Sequence, residues 1–355
     1  MESTLYDLCD ELKDKVHLRV LVAHTGGGTR IDDEDGVEVI RVGSLGTIFS
    51  TSICPTMAYW IRRLEADIVQ IHHPNPMATI SYLLSNHHGE LVVLYQSDIV
   101  RQRVTYRVYA PFLTRMLERA QRIIVTSPQY LGSSPLLTRF KGKCVMIPLG
   151  IDLSRFEDQG REREIAAIRS HYGGRIILFV GRLTQYKGVS YLLEAMREVS
   201  GRLVIIGTGD LERRLRNQAA GNGLSAKVHF LGELEERKIV PFFHASDLLV
   251  LPSITRNEAF GLVQLEAMAC RKPVVSTRLE TGVQYVNQHG KTGFVVPPRD
   301  PRALAEAING LLDDEKLRTR MGTEGRRRVE KEFTKERMAR ETLKLYEEVL
   351  ASSGP

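Results

Sequence analysis

The sequence predicts an α/β protein made of two doubly wound domains, and three observations carry that expectation. Short β-branched runs alternate with helical patterns along the whole chain, as in a parallel sheet covered by helices. A polar stretch, DLSRFEDQGREREIAAIRSHYGG, separates two such series. With 355 residues, 43% of them apolar, the chain can bury two cores of ordinary size.

The elements follow in order. Leu5, Leu8, Leu12 and Val16 recur at helical spacing, so the chain opens on a helix and the first strand is HLRVLVAH, from His17. A doubly wound domain usually opens on a strand whose following loop faces the ligand; the first domain is therefore expected to lack that strand. VEVIRV, ADIVQIHH, ELVVLYQ, QRIIVTS and KCVMIPLG complete its strands. The polar stretch reads as the connection, with the boundary near residue 155. RIILFVG, RLVIIG, KVHFLG, DLLVLPS, KPVVST and GFVVP then give a second domain over 156–333. The end of the chain, 334–355, belongs to one or two charged amphipathic helices with Phe333, Met338, Leu343, Leu345 and Leu350 available for packing.

Composition narrows the function classes. No stretch reaches the roughly 20 apolar residues of a membrane span, and MESTLYDLCDELKDK lacks the parts of a signal peptide, so cytoplasm is the expected location. Cys9, Cys54, Cys144 and Cys270 are far apart, which suggests neither a disulfide framework nor a zinc site. His72-His73 and His87-His88 are adjacent pairs, unlike the helical i, i+4 spacing of a metal site, and no metal is expected. The net charge of +6 suits anionic partners, but no nucleic-acid recognition module or stacking pattern is present. Between Arg101 and Arg122 arginines interleave with Val, Tyr, Phe, Leu and Met. Such a face can lie on anionic lipid; a solvated helix face around an apolar stripe is the ordinary alternative.

Two constellations carry chemistry. In PSITRNEAFGLVQLEAMACRKPVV, the run Asn257-Glu258-Ala259-Phe260-Gly261 follows a strand and precedes an apolar helix, the place where open α/β sheets bind ligands. The helix start offers N–H groups and the positive dipole end to a phosphate, and Gly261 lets a ligand approach the backbone. Glu258 beside that seat, and Glu266 about two turns on, suit neutral hydroxyls, since like charges repel phosphate. Hydroxyls at both ends with phosphate in the middle describe a nucleotide sugar. The plainer alternative makes Glu258 a partner of the helix dipole and Glu266 a surface residue. In FVGRLTQYKGVSYLLEAM a strand ends at Gly181, with Arg182 and Lys187 in the loop, two cations able to neutralise a diphosphate leaving group unless they are only solvated. IIGTGDLERRL fails as a dinucleotide fingerprint because Gly207 and Gly209 are not followed by the third glycine of GxGxxG; it reads as a tight turn lining the same crevice, and an NAD-dependent oxidoreductase is disfavoured. GGG at 26–28 reads as a turn between strands.

Taken in this order, GRLTQYKG, the E-x7-E pair Glu258 and Glu266, and PLGID at 148–152 resemble the retaining GT-B glycosyltransferases, a family that includes bacterial mannosyl- and rhamnosyltransferases of surface polysaccharide synthesis. The resemblance spans nearly the whole chain. It implies two Rossmann-like domains facing a cleft, with acceptor on the first, nucleotide on the second, and the last helix crossing back to the first. It further implies that Arg182 and Lys187 hold the donor diphosphate, Glu258 the hydroxyls of the transferred sugar and Glu266 the ribose. The backbone of Ala259, Phe260, Gly261 and Leu262 would approach sugar and β-phosphate, Gly181, Gly207 and Gly209 would line the donor, and His229 and Phe230 the base. Retention without a covalent nucleophile, no cofactor or metal, and closure that excludes water are implied as well.

The chain departs from that pattern at Gln96, where such relatives usually have a histidine that contacts the donor sugar; glutamine can hydrogen-bond but takes up no proton at neutral pH. It departs again at the missing first strand and at Arg271, which replaces the usual glycine after the helix. The expected function is a retaining, metal-independent hexosyltransferase moving mannose from GDP-mannose to a lipid-linked or polysaccharide acceptor. The alternative is a degenerate relative that binds nucleotide sugar without transferring it.

Overall fold

The structure, a computed structural model, describes residues 2–48, 51–98 and 103–352. The chain forms two compact units, Met1–Gly150 with Lys335–Pro355, and Ile151–Thr334.

In the first unit, β1 (Arg19–Thr25), β2 (Arg30–Glu34) and β3 (Val37–Ser44) form one sheet in the order β1-β3-β2. The short strands β4 (Thr47–Ile48) and β5 (Thr51–Ser52) pair with each other. A second sheet is fully parallel in the order β6 (Ile68–His73), β7 (Glu90–Tyr95), β8 (Arg122–Val125) and β9 (Cys144–Met146). Strand β2 carries RIDDE, largely exposed and antiparallel to β3; acidic residues without apolar alternation give no strand signal. The opening helix stops at Leu12, so Val16 lies beyond its end. That helix packs against Lys335–Ser352, with Lys335 Nζ 2.9 Å from Asp10 and 3.4 Å from Glu11. On the last helix Met338 and Leu345 are buried, whereas Leu350 is exposed and Val349 takes the core position.

The second unit is a six-stranded parallel sheet of β10 (Ile176–Val180), β11 (Arg202–Ile206), β12 (Val228–Gly232), β13 (Leu248–Leu251), β14 (Val274–Thr277) and β15 (Gly293–Val296). The spatial order is β12-β11-β10-β13-β14-β15. Runs such as IILFV and LLVL are almost wholly buried, as strands covered on both faces must be. Strand order reverses between β10 and β13, and a sheet that reverses leaves a crevice outside the C-terminal ends of those two strands. Gly207 shapes that edge: at φ +129 it lies so close to the Gly181 carbonyl that any side chain would collide with it.

The polar stretch is not a free connection. It is built into the second unit as a 3-10 turn, Leu153–Phe156, and a helix, Glu162–Tyr172. Phe156 is buried and its carbonyl is 2.9 Å from His244 Nε2. Few apolar residues made the segment look like a linker, yet one buried phenylalanine and a helix docked on Glu236–Ala245 fix it. Arg271 adopts φ +55 after the helix Leu262–Ala269, in the left-handed region where glycine is easier.

Candidate active site

The loop after β10 folds as a 3-10 turn, Gln185–Lys187, leading through Gly188 into the helix Val189–Ala195. Gly188 has φ +68, and a Cβ there would run into the Pro252 carbonyl. Only glycine lets this loop lie directly on the loop that follows β13. The Ile254 N–H donates to the Tyr186 carbonyl at 2.8 Å and ties the two together.

That contact delivers Lys187 to Glu258. Nζ lies 2.7 Å from Oε2, and the side chains are only 11% and 9% exposed. Ser253 Oγ donates to the same Oε2 at 2.8 Å, and Thr277 Oγ1, from β14, donates to the Ser253 carbonyl. Burial opposes the charge on Lys187, but the Glu258 carboxylate outweighs it and raises the lysine pKa. Arg182 is exposed and has no ion-pair partner among the described residues. The crevice edge therefore offers one cation already neutralised and one available.

Beside the pair, the chain turns into the helix Leu262–Ala269 through Gly261 at φ +74. The carbonyls of Ala259 and Phe260 are engaged by Gly282 N–H (2.7 Å) and Gln264 Nε2 (3.1 Å). The N–H groups of Phe260, Gly261 and Leu262 have no acceptor among the described residues. Free amides at a helix start beside the Lys187–Glu258 pair can seat an anion, and Arg182 lies close enough to Lys187 to bear on its charge. Glu266, in the second turn, has no hydrogen-bond partner for its carboxylate among the described residues. Burial pushes it up to about 7, with Glu236 adding to the shift and Lys187 and Arg155 opposing it.

The sequence-derived residues thus divide. Gly181, Arg182, Lys187, Glu258, Ala259, Phe260 and Gly261 share the loops after β10 and β13, Leu262 and Glu266 lie on the helix that follows the second of these, and Gly207 and Gly209 pack on the first, against Gly181 and Leu183. His229 and Phe230 do not join them. His229 pairs with Val204 on the edge strand β12, its ring against Tyr172 at 4.9 Å; burial, then Arg202 and His171, lower its pKa. Phe230 lies under the Arg216 guanidinium at 4.7 Å. The strand runs on to Gly232, so side chains two and three residues earlier fall short of its end. Gln96 stands in the first unit just past β7, its N–H donating to the His73 carbonyl at 3.0 Å. Ser253, Gly188 and Gln264 also shape these loops; no local sequence signal marks a serine that folds back onto a glutamate five residues later.

Comparison with known proteins identifies the family and the fold. The family described as Glycosyl transferases group 1 matches residues 160–328, and Glycosyltransferase Family 4 matches residues 1–155. The chain is 37% identical to D-rhamnosyltransferase WbpZ of Pseudomonas aeruginosa over 76% of its own length and 70% of that protein's. It is 35% identical to O-antigen chain mannosyltransferase C of Escherichia coli over 82% and 77%. The chain belongs to the group 1 glycosyltransferases. This is a family of retaining hexosyltransferases. The fold of this glycosyltransferase is GT-B, and it superposes on sucrose-phosphate synthase of Thermosynechococcus elongatus with a TM-score of 0.82, at 24% identity, covering 98% of this chain and 93% of that one. Anabaena HepE in complex with UDP and glucose gives a TM-score of 0.77 at 20% identity, over 96% and 94%. Among the described residues of the glycosyltransferase, no group of three His, Cys, Asp or Glu side chains could hold a metal ion, and no helix is long and apolar enough to cross a membrane.

Proposed function

We propose that this glycosyltransferase moves mannose from GDP-mannose to a lipid-linked or polysaccharide acceptor in cell-surface glycan synthesis. The observation that carries the reading is the buried Lys187–Glu258 pair beside the free amides of Phe260, Gly261 and Leu262. Cation and amides suit a diphosphate, and the adjoining carboxylate suits sugar hydroxyls. The names of the two relatives, a D-rhamnosyltransferase and an O-antigen chain mannosyltransferase, support a hexose and a surface glycan.

In this reading the bond from the anomeric carbon to the β-phosphate oxygen breaks with its electron pair staying on the diphosphate. Lys187, Arg182 and the helix amides stabilise the charge that develops there. Glu258 holds the sugar hydroxyls and Glu266 the ribose. The acceptor oxygen attacks the face the diphosphate leaves, and a phosphate oxygen takes its proton. Positioning and preorganised charge are the enzyme's contribution.

The helix Arg103–Arg119 supports a location on the cytoplasmic side of the inner membrane. Arg107, Val108, Pro111, Phe112, Arg115 and Arg119 all face outward on it, with Val108 70% and Phe112 42% exposed. Arginine around apolar tips is the composition of a helix lying on anionic lipid. Arg101, where the basic segment begins, lies outside the described residues.

The experiment is an NMR assay presenting GDP-mannose, a UDP-hexose and a dTDP-hexose separately, following line-broadening and loss of the donor anomeric signal. Consumption of GDP-mannose supports the proposal; consumption of another donor reassigns the nucleotide. Gln96 favours a second reading, a relative that binds nucleotide sugar without transferring it. Broadening without consumption, with a crude lipid-linked acceptor present, would establish that reading instead.

A further inference from the structure

We infer that Ser253 is a positioning residue of the donor site, keeping Glu258 in place when the donor diphosphate competes for Lys187; the inference rests on the donor reading above. Two donors converge on one oxygen of Glu258, Lys187 Nζ at 2.7 Å and Ser253 Oγ at 2.8 Å. The other oxygen, Oε1, has no partner among the described residues. A diphosphate carries more charge than a carboxylate and draws the lysine toward itself, weakening its hold on Oε2. A buried carboxylate left with fewer donors is costly and turns to find others.

Ser253 prevents that turn. It is fully buried, and its own carbonyl is gripped by Thr277 Oγ1, which is also fully buried, on the neighbouring strand β14. Its hydroxyl is therefore anchored to the sheet and independent of the lysine. With Oε2 fixed by serine, Oε1 keeps one direction for accepting a hydroxyl of the transferred sugar. The relay Thr277–Ser253–Glu258 thus acts on the sugar half of the donor, while Lys187 acts on the phosphate half.

The test is calorimetric titration of the full chain and its Ser253→Ala variant with GDP-mannose and GDP, and with UDP-glucose and UDP, alongside thermal unfolding. Loss of a hydrogen bond to a charged group should weaken the nucleotide sugar about tenfold, and the bare diphosphate should bind within about twofold of wild type, because Ser253 touches no phosphate ligand. In a Glu258→Gln background the same serine change should have no further effect. Equal weakening of sugar-bearing and bare ligands, or a full effect persisting beside Glu258→Gln, would overturn the inference. If Ser253→Ala does not fold, Thr277→Val, which releases the far end of the relay, should lower the same ratio, and an unchanged ratio overturns the inference equally. Failure of wild type to bind either pair sinks the donor reading, and Ser253's role with it.

Discussion

Phe333 stands edge-on to Phe260, their ring centroids 6.0 Å apart at 74°. Phe260 belongs to the turn that carries Glu258. Phe333, fully buried, also meets Tyr285 at 5.6 Å and the Arg328 guanidinium at 5.1 Å, and its carbonyl accepts from the Ile151 N–H at 2.9 Å. The residue just before the second unit ends therefore buttresses the anion seat. Phe333→Leu, a substitution that keeps much of the volume, should cost about 1–1.5 kcal/mol of stability while raising the donor KM several-fold. A donor KM unchanged against a lowered Tm would leave Phe333 a packing residue only.

The Lys187–Glu258 pair makes a two-part prediction. Lys187→Ala should lower turnover about a hundredfold or more, and should also destabilise by about 3–5 kcal/mol, since it strands a buried carboxylate. The double variant Lys187→Met with Glu258→Leu should recover most of the Tm but none of the turnover. Recovery of neither, or of both, would show that the pair's structural and catalytic roles have been misassigned.

Glu266 predicts a pH dependence. Its folded pKa, about 7, lies above the ordinary 4.5, so the folded protein holds the proton more tightly than the unfolded chain does. This group's contribution to stability is therefore full below about pH 4.5 and falls as pH rises toward 7. Hydroxyl binding needs the ionised form, so donor affinity should move the opposite way, tightening between pH 6 and 8. Donor KM measured across that range should fall in wild type and stay flat in Glu266→Gln; parallel curves would remove Glu266 from the ribose.

Arg271 pays for its left-handed backbone. The strain of about 1–2 kcal/mol exceeds the entropy glycine adds to the unfolded chain, about 0.4–1 kcal/mol. Arg271→Gly should accordingly raise stability by roughly 0.5–1 kcal/mol in urea titration, with turnover unaltered.

On the helix Arg103–Arg119, charge reversal at Arg107 and Arg115 should abolish co-sedimentation with phosphatidylglycerol vesicles and leave turnover on a soluble acceptor intact. Undiminished vesicle binding by the double variant would return this face to solvent.

Much of this protein was written in local sequence. Buried β-branched runs such as IILFV and LLVL announce parallel strands because covering on both faces demands them, and the spacing of Glu258 to Glu266 with the cations at 182 and 187 marks candidates for a donor site. What stayed hidden was non-local. RIDDE forms a strand only because β3 offers an edge to pair with, and the linker-like stretch 153–172 is fixed by Phe156 and by its packing against Glu236–Ala245. His229 falls among Tyr172, Arg202 and His171 because strand register, which no single segment contains, decides which residues reach the end of a sheet. Residue type and period thus determined most of the elements and a set of candidates for the site. Only the tertiary structure decided that β13 lies next to β10, that Gly188 lets their loops touch, and that Lys187, Ser253 and Glu258 converge on one oxygen. Periodicity is set by neighbours in the chain, whereas pairing is set by which buried surfaces and charges find each other in space.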